Sequence, residues 1–194
     1  MDERKPLESH VLKIVDMSKE ELDEFTGAFK LRQIKKRQFI VQPDFISNYR
    51  TYVVNGAFRS YVTALNDDHT IQFALDDWWV GDINSYIYQQ PATMFVVAIE
   101  DSSILQIDFV TEQKLKATNH KFETFFRISA ERTSAYHQRR IISALTRTAE
   151  ERYDDFMAIY GSVSLRLPQY VLASYLGMTT QFLSKIRNSK AKKR

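Results

Sequence analysis

The 194-residue sequence predicts an α+β fold in which an N-terminal antiparallel β jelly roll is followed by helices alone. Between about residues 29 and 108, apolar residues alternate with a period of two in short runs, which is typical of antiparallel strands. Residues 111–160 contain neither glycine nor proline, and their apolar residues recur at helical spacing. These patterns divide the chain into a strand-rich part and a helical part.

The first thirty residues are predicted to be helical. Ser18 and Glu21 have the spacing of a capping box, in which each side chain accepts a hydrogen bond from the backbone N–H of the other residue. Leu22, Phe25 and Phe29 then follow at helical spacing. An apolar helix face therefore precedes the strands.

Short runs rich in β-branched and aromatic residues come next, separated by turn residues such as Asn55-Gly56 and Gly81-Asp82. Seven or eight strands at this spacing suggest an antiparallel jelly roll or barrel. No βαβ alternation occurs, which argues against a nucleotide-binding parallel sheet. The runs are 38–41, 51–54, 60–63, 71–74, 95–99 and 104–107.

One long helix is predicted over residues 111–146, with an apolar seam that includes Phe122, Phe126, Ala130 and Thr133. A helix of this length must bury its seam, and a second copy of the chain is the simplest partner. A second capping box at 148–151 predicts that a new helix begins there and runs to about residue 160.

The segment 168–187 has the pattern of two short helices that cross at a steep angle. Ala173 is small where the second helix would cross, and Gly177 suits the left-handed residue that ends the first helix. This pattern predicts a helix-turn-helix unit whose second helix enters the major groove of DNA. The candidate DNA-binding residues are Thr179, which also caps the second helix, and Thr180, Gln181, Ser184, Lys185 and Arg187 on its outer face.

The charge distribution agrees with a polyanionic partner for the C-terminal part. Residues 1–110 carry a net charge of −6, whereas residues 111–194 carry +9. After Ser162 the sequence contains seven basic residues and no acidic one. A segment with one sign of charge is the pattern expected of a phosphate-backbone binder, although composition alone fits a solvated basic tail equally well.

Several stretches carry a resemblance to a known family: 52–61 (YVVNGAFRSY), 80–82 (VGD), 98–102 (AIEDS), 148–153 (TAEERY) and the two-helix motif. Through them the chain, from about residue 10 to residue 190, resembles the Crp–Fnr superfamily of bacterial transcription regulators. It looks most like the branch whose chains end soon after the recognition helix.

The resemblance implies three domains. They are a cyclic-nucleotide-binding-like jelly-roll sensor domain over 1–110, a dimerisation helix over 111–146, and a helix-turn-helix DNA-binding domain with a reduced wing over 147–194. It implies a sequence-specific regulator that binds a palindromic site as a homodimer. Double-stranded DNA and a second copy are the implied partners, and RNA polymerase is a further candidate.

The effector position departs from the family's pattern. The family uses a Gly-Glu pair for a ribose and an Arg some ten residues later for a cyclic phosphate. Here the pair is Gly81-Asp82, and the phosphate position falls at Ala92 and Thr93. No Arg or Lys occurs between Gly81 and Lys114, so a buried phosphate would lack a compensating cation. We expect a degenerate pocket at these four residues, with an effector other than cyclic AMP.

No cofactor, metal site or membrane contact is predicted. The sequence has no cysteine, which excludes thiolate zinc sites and cysteine-held iron–sulfur clusters. Its histidines, at positions 10, 69, 120 and 137, show no metal-ligand spacing. No apolar stretch approaches the roughly 18 residues of a membrane span, and the N-terminus lacks the apolar core of a signal peptide, so we expect a cytoplasmic protein.

The sequence leaves three alternatives to this interpretation. An enzyme is the rival class, but the sequence has no nucleophile elbow, glycine-rich phosphate loop or HExxH motif, so we predict that the protein is not an enzyme and has no catalytic residues. A jelly-roll module that binds a ligand or a protein without DNA-sequence specificity is the second. The third is a regulator without any effector, whose pocket is filled by side chains such as Tyr86, Tyr88 and Met94.

Overall fold

The computed structural model describes residues 3–191 and confirms an α+β fold with antiparallel sheets and a long helix. The strands are β1 (Lys30–Ile34), β2 (Phe39–Val41), β3 (Tyr49–Asn55), β4 (Phe58–Ala64), β5 (Asp67–Ala74), β6 (Trp79–Val80), β7 (Phe95–Ala98) and β8 (Ser102–Asp108). The helices are α1 (Lys5–Leu12), α2 (Lys19–Gly27), α3 (Ile83–Tyr88), α4 (Phe109–Thr118), α5 (His120–Thr146), α6 (Ala149–Tyr160), α7 (Gln169–Tyr175) and α8 (Thr180–Ala191), with a 3-10 turn at Ser164–Arg166.

The eight strands form two four-stranded antiparallel sheets that pack face to face. One sheet has the order β1-β8-β3-β6 and the other β2-β7-β4-β5. Every strand contributes at least one buried apolar residue to a shared core, as Val53 of β3, Phe58 of β4 and Ile104 of β8 do. The alternation seen in the sequence therefore corresponds to strands with an inward face, as expected for packed sheets.

The turn between β3 and β4 requires the glycine that the sequence places there. Gly56 has a φ of +127°, a conformation that L side chains rarely adopt. A Cβ at this position would lie 2.0 Å from Oγ of Ser102. The Asn55-Gly56 turn is therefore fixed both by backbone conformation and by close packing.

Both predicted capping boxes are confirmed. At the start of α2 the backbone N–H of Ser18 donates to the Glu21 carboxylate at 2.8 Å, and the N–H of Glu21 donates to the Ser18 hydroxyl at 3.3 Å. Thr148 and Glu151 repeat the same pair of bonds at the start of α6. Local sequence thus determines where these two helices begin.

An aromatic core joins the N-terminal helices to α5 and corrects the predicted dimer seam. Phe122 and Phe126 are 0% and 3% exposed, and both rings pack on Phe25 of α2, with centroids 5.4 and 5.5 Å apart. These two residues are buried within one chain and are not available to a partner. Ala130 and Thr133, one and two turns further along α5, are exposed.

The predicted single helix over 111–146 is two helices. Asn119 has extended backbone angles (φ −148°, ψ 124°), and its side chain accepts a hydrogen bond from the N–H of Lys121. Asn119 therefore ends α4 and caps α5, as short polar side chains do at helix starts. The break allows α4 to pack by Leu115 and α5 to pack by its first turn on the same aromatic core.

Glu112 of α4 is a buried carboxylate that ties the helices to the sheets. It accepts hydrogen bonds from Nε of Arg50 at 2.6 Å and from the Tyr86 hydroxyl at 2.8 Å, and it lies 2.6 Å from Nζ of Lys116. Burial disfavours the charged form, but the hydrogen bonds and charges of Arg50 and Lys116 outweigh it and hold the pKa of Glu112 below its ordinary value.

We expect Glu112→Gln to lower the free energy of unfolding by about 3–5 kcal/mol at neutral pH, because Arg50 and Lys116 lose their buried counter-charge. Since the folded pKa is depressed, the carboxylate stabilises the fold above the unfolded pKa of 4.5 and loses that effect as the pH falls through the lower folded value. Urea unfolding at several pH values measures this difference.

The difference between wild type and Glu112→Gln should shrink as the pH falls below 4.5. The control is Glu131→Gln, which removes a surface pair with Arg127 and should change stability by less than about 1 kcal/mol. A difference that stays constant into the acid range would contradict the assignment.

Candidate nucleic-acid interface

The helices α7 and α8 form a compact pair, here called the two-helix unit (Gln169–Ala191). At the end of α7 the N–H of Met178 donates to the carbonyl of Ala173 at 3.0 Å, and the N–H of Gly177 donates to the carbonyl of Ser174 at 3.1 Å. Gly177 has a φ of +65°, in the left-handed region. This arrangement is a Schellman motif, which ends a helix and reverses the chain, as the sequence predicts for Gly177.

A buried apolar cluster holds the two helices together and joins them to β5 and α6. Ala173 is 1% exposed and belongs to one buried cluster with Leu183 and Ile186 of α8, which is why a small residue is needed there. Thr179 caps α8, because its hydroxyl accepts from the N–H of Phe182 at 3.2 Å. The sequence prediction for this unit therefore agrees with its local geometry.

The candidate DNA-binding residues lie on the side of α8 that faces away from this core. Thr179, Gln181 and Lys185 are exposed, whereas Thr180, Ser184 and Arg187 are half-buried. Gln181 and Lys185 are four residues apart, so they lie one above the other on the outer face. Gln181 and Lys185 share an exposed face, whereas Arg187, two residues after Lys185, lies at the edge of this side, on the opposite flank from Lys185.

Gln169, at the start of α7, is a residue of this surface that the sequence analysis missed. Its side-chain amide donates to the carbonyl of Thr180 at 3.0 Å and also to the hydroxyl of Ser184. The Ser184 hydroxyl in turn donates to the Thr180 carbonyl at 3.0 Å. The Ser184 hydroxyl is therefore used within the protein. Gln181 is exposed, and its amide oxygen accepts from the Thr180 hydroxyl at 3.2 Å. No spacing rule in the sequence indicated this contact between helices.

Ion pairs reduce the number of basic side chains that are free to attract phosphates. Lys190 lies 2.7 Å from Asp154, and Arg166 pairs with Asp76. Within residues 3–191, Lys185 and Arg187 are the basic residues after Ser162 that form no ion pair. The remaining three, at 192–194, lie outside the described residues.

Arg152 of α6 holds the turn of the two-helix unit in place. Its Nε donates to the carbonyl of Leu176 at 2.9 Å, and a terminal nitrogen donates to the carbonyl of Gly177 at 3.4 Å. A second terminal nitrogen reaches the Arg147 carbonyl at 2.8 Å. The guanidinium therefore satisfies carbonyl groups at the end of α7 and fixes the angle between α6 and the unit.

Arg166, just before α7, anchors the C-terminal helices to the sheets. Its guanidinium donates to both carboxylate oxygens of Asp76, at 2.8 and 3.1 Å, to the Gly56 carbonyl at 3.0 Å, and to Glu100. The hydrogen bonds to Asp76 and Glu100 raise the pKa of Arg166 further above its ordinary value. Such charge-assisted, forked hydrogen bonds favour one relative position of the two partners.

Strand β5 is hydrogen-bonded to both the two-helix unit and α5. The Ser174 hydroxyl accepts from the N–H of Thr70 at 2.8 Å and donates to the carbonyl of Asp68 at 2.9 Å. Arg140 of α5 donates to the Thr70 carbonyl at 3.0 Å and to the Tyr175 carbonyl at 3.2 Å. The main chain of β5 is thus hydrogen-bonded to two helices outside its sheet.

The predicted effector residues come together, but their polar groups are already used. Asp82 is 1% exposed, and its carboxylate accepts from the N–H of Ser85 at 3.0 Å and the N–H of Thr93 at 2.9 Å. Gly81 precedes it, and Ala92 is buried beside Thr93. Asp82 therefore acts as the cap of α3 and as a tie to the following loop.

No group of three or more His, Asp or Glu side chains within residues 3–191 is placed to hold a metal ion. No helix there combines the length and apolar character that crossing a membrane requires.

Solved structures that share this fold include several regulators of the Crp–Fnr type. The c-di-GMP responsive global regulator CLP of Xanthomonas campestris has a TM-score of 0.72 and 11% identity, over 90% of this chain and 93% of that one. FixK2 from Bradyrhizobium japonicum has a TM-score of 0.72 and 19% identity over 85% of each chain. A CooA mutant from Carboxydothermus hydrogenoformans has a TM-score of 0.72 and 18% identity, over 94% and 83%.

These similarities establish the fold, which the chain shares with Crp–Fnr regulators. No protein-family model matches the sequence, and no match is found among curated proteins.

We expect Arg166→Ala to loosen the two-helix unit, because Asp76 and Glu100 lose their shared cation. The free energy of unfolding should fall by about 1–3 kcal/mol, and amide hydrogens of α7 and α8 should exchange faster. Urea unfolding and hydrogen exchange measure these effects. Arg139→Ala, at an exposed position of α5, is the matched control. It should change neither the free energy of unfolding nor the amide exchange rates of α7 and α8. Unchanged exchange in the Arg166 variant would show that the anchor lies elsewhere.

Proposed function

We propose that the protein is a sequence-specific DNA-binding transcription regulator that acts as a homodimer on a palindromic site. The observation that carries this proposal is the two-helix unit, in which a Schellman turn and a buried apolar cluster present Gln181 and Lys185 on one exposed helix face. A helix held in this way is suited to lie in the major groove.

The remaining architecture supports the same proposal. The two sheet orders are consistent with a jelly roll, and we assign residues 1–110 as the sensor domain. We assign 111–146 to the dimerisation segment and 147–194 to a helix-turn-helix domain. A reduced wing and membership of the short-wing branch of the family are further parts of this proposal.

The side chains of α8 suggest a division of roles. Lys185 and Arg187 supply attraction to phosphates that does not depend on sequence. Gln181 is suited to a bidentate contact with an adenine edge, and the methyl group of Thr180 to a thymine methyl. The base-reading role falls mainly on Gln181, because Thr180 is half-buried and Ser184 is bound by Gln169.

DNA binding is tested by fluorescence anisotropy against randomised duplex DNA at two salt concentrations, with sequencing of the bound fraction. We expect a steep salt dependence and an enriched palindrome. Lys185→Ala should weaken binding and reduce the salt slope by about 1, whereas Gln181→Ala should relax discrimination at one position by about 1–3 kcal/mol. Lys114→Ala, at an exposed position of α4, is the control.

Salt-sensitive binding without an enriched sequence would contradict the proposed specificity. It would favour the alternative of a jelly-roll module that binds ligands or proteins and contacts DNA only through its basic segment. Wild-type binding by Lys185→Ala would mean that the recognition face has been assigned wrongly.

The exposed face of α5 supports the dimer. Ile141 and Leu145 are 60% and 80% exposed and lie on the same face as Ala130 and Thr133. Apolar residues of this size on one exposed helix face mark an interaction surface. We therefore place the seam of the proposed dimer toward the C-terminal end of α5, beyond the buried phenylalanines.

We expect Ile141→Glu to convert the dimer to a monomer, because two glutamates would face each other across the seam. Light scattering on a sizing column should give twice the 22.8 kDa chain mass for the wild type and one chain mass for the variant. Ile159→Glu, at an exposed position of α6, is the matched control and should stay dimeric. A dimeric Ile141→Glu protein would move the interface elsewhere.

A further inference from the structure

The β-sandwich contains a cavity beside the β2–β3 loop. It has a volume of about 200 Å³ and opens between the β2–β3 loop, at 42–48, and the ends of β3 and β8. None of the side chains that line it is charged, and none of the four predicted effector residues is among them. We call it the Gln106 cavity.

The wall of the cavity carries an incompletely paired polar group. Gln106 and Thr51 are 7% and 2% exposed, and the amide nitrogen of Gln106 donates to the Thr51 hydroxyl oxygen at 3.0 Å. Within residues 3–191, neither the carbonyl oxygen of Gln106 nor the Thr51 hydroxyl hydrogen has a hydrogen-bond partner. The Gln106 carbonyl oxygen is not among the described buried atoms that lack a partner, so it is accessible from the cavity to water or to a polar group of a ligand.

The position of this pair within the strands makes it unusual. Val53 lies two residues from Thr51 on β3, and Ile104 lies two residues from Gln106 on β8. Both Val53 and Ile104 are fully buried in the core between the sheets. Because side chains alternate along a strand, Thr51 and Gln106 point to the same interior. Apolar residues there would have completed the core, so the polar pair marks a local departure from simple packing.

The mouth of the cavity is apolar. Phe45 is 70% exposed, and Phe39, Ile46 and Tyr49 beside it are also exposed. Exposed apolar residues that surround a concave site are typical of a ligand-binding surface, whereas isolated ones are common on any protein.

The loop that forms one wall is held in a fixed conformation. Asp44 has a φ of +70°, which is uncommon for a residue other than glycine, and its N–H donates to the Ala92 carbonyl at 3.2 Å. The N–H of Ala92 donates back to the Phe45 carbonyl at 2.9 Å, and the N–H of Ser47 donates to the Ser85 hydroxyl at 2.9 Å. The cavity is therefore formed before any ligand binds.

We propose that the Gln106 cavity binds a neutral molecule of one ring that carries an amide or hydroxyl group. The polar group donates to the Gln106 carbonyl oxygen and accepts from the Thr51 hydroxyl, while the ring contacts Phe45 and Ile46. A cavity of about 150 Å³ holds benzene in another protein, so 200 Å³ suits one substituted ring. The uncharged lining disfavours carboxylates and phosphates, which would be buried without a counter-charge.

The test is an NMR titration of the full chain with benzamide and with benzoate, which has almost the same shape but is charged. Benzamide should shift the amide signals of Ser47, Thr51 and Gln106 in a saturable manner. Benzoate should bind at least tenfold more weakly. This readout does not depend on DNA binding, so it can fail or succeed independently of the proposed function.

Two variants test the contacts. Gln106→Leu keeps the size of the side chain but removes the acceptor, and it should weaken benzamide binding about tenfold. Gln33→Leu, at an exposed position of β1, is the matched control and should leave the affinity unchanged. If Gln106→Leu does not fold, Phe45→Ala, at an exposed position on the mouth, should weaken binding at least threefold instead.

Several outcomes would overturn the proposal. They are equal binding of benzoate and benzamide, wild-type affinity in a folded Gln106→Leu or in Phe45→Ala, and the absence of saturable shifts with millimolar benzamide.

Discussion

The hydrogen bonds that reach strand β5 from outside its sheet are the constraint on which the rest of the structure depends. Thr70 contacts Ser174 of α7 through its N–H and Arg140 of α5 through its carbonyl. Phe73, further along the strand, packs against Tyr160 and Tyr175, with ring centroids 5.8 and 4.8 Å apart. One strand of the sandwich therefore sets the position of both the long helix and the two-helix unit. A shift of β5 would displace both of them.

The parts that the sequence predicted well are those determined by neighbouring residues. Strand alternation, the Asn55-Gly56 turn and the left-handed Gly177 depend on backbone conformation within a few residues, and all are present. Helical periodicity also places Gln181 and Lys185 on one exposed face of α8. Their contacts with DNA stay a prediction, since they depend on a partner.

The parts that the sequence did not predict depend on residues far apart in the chain. Phe122 and Phe126 have the spacing of a dimer seam, and periodicity cannot tell that the N-terminal Phe25 covers them. The helix break at Asn119 comes from one side chain in a segment with no glycine or proline. The contact of Gln169 with Ser184, and the unpaired Gln106 facing a cavity, follow from tertiary packing alone.

The aromatic core between α2 and α5 also has a consequence for synthesis on the ribosome. Glu21 of α2 and its partner Lys121 of α5 are 100 residues apart in sequence and 2.6 Å apart in space. Translation proceeds at roughly 5–20 residues per second. The start of α5 is therefore synthesised about 5–20 s after α2, and α2 cannot pack against it before then. Throughout that interval Phe25 lacks the rings of Phe122 and Phe126 that cover it in the folded chain, so it is apolar surface on the nascent chain.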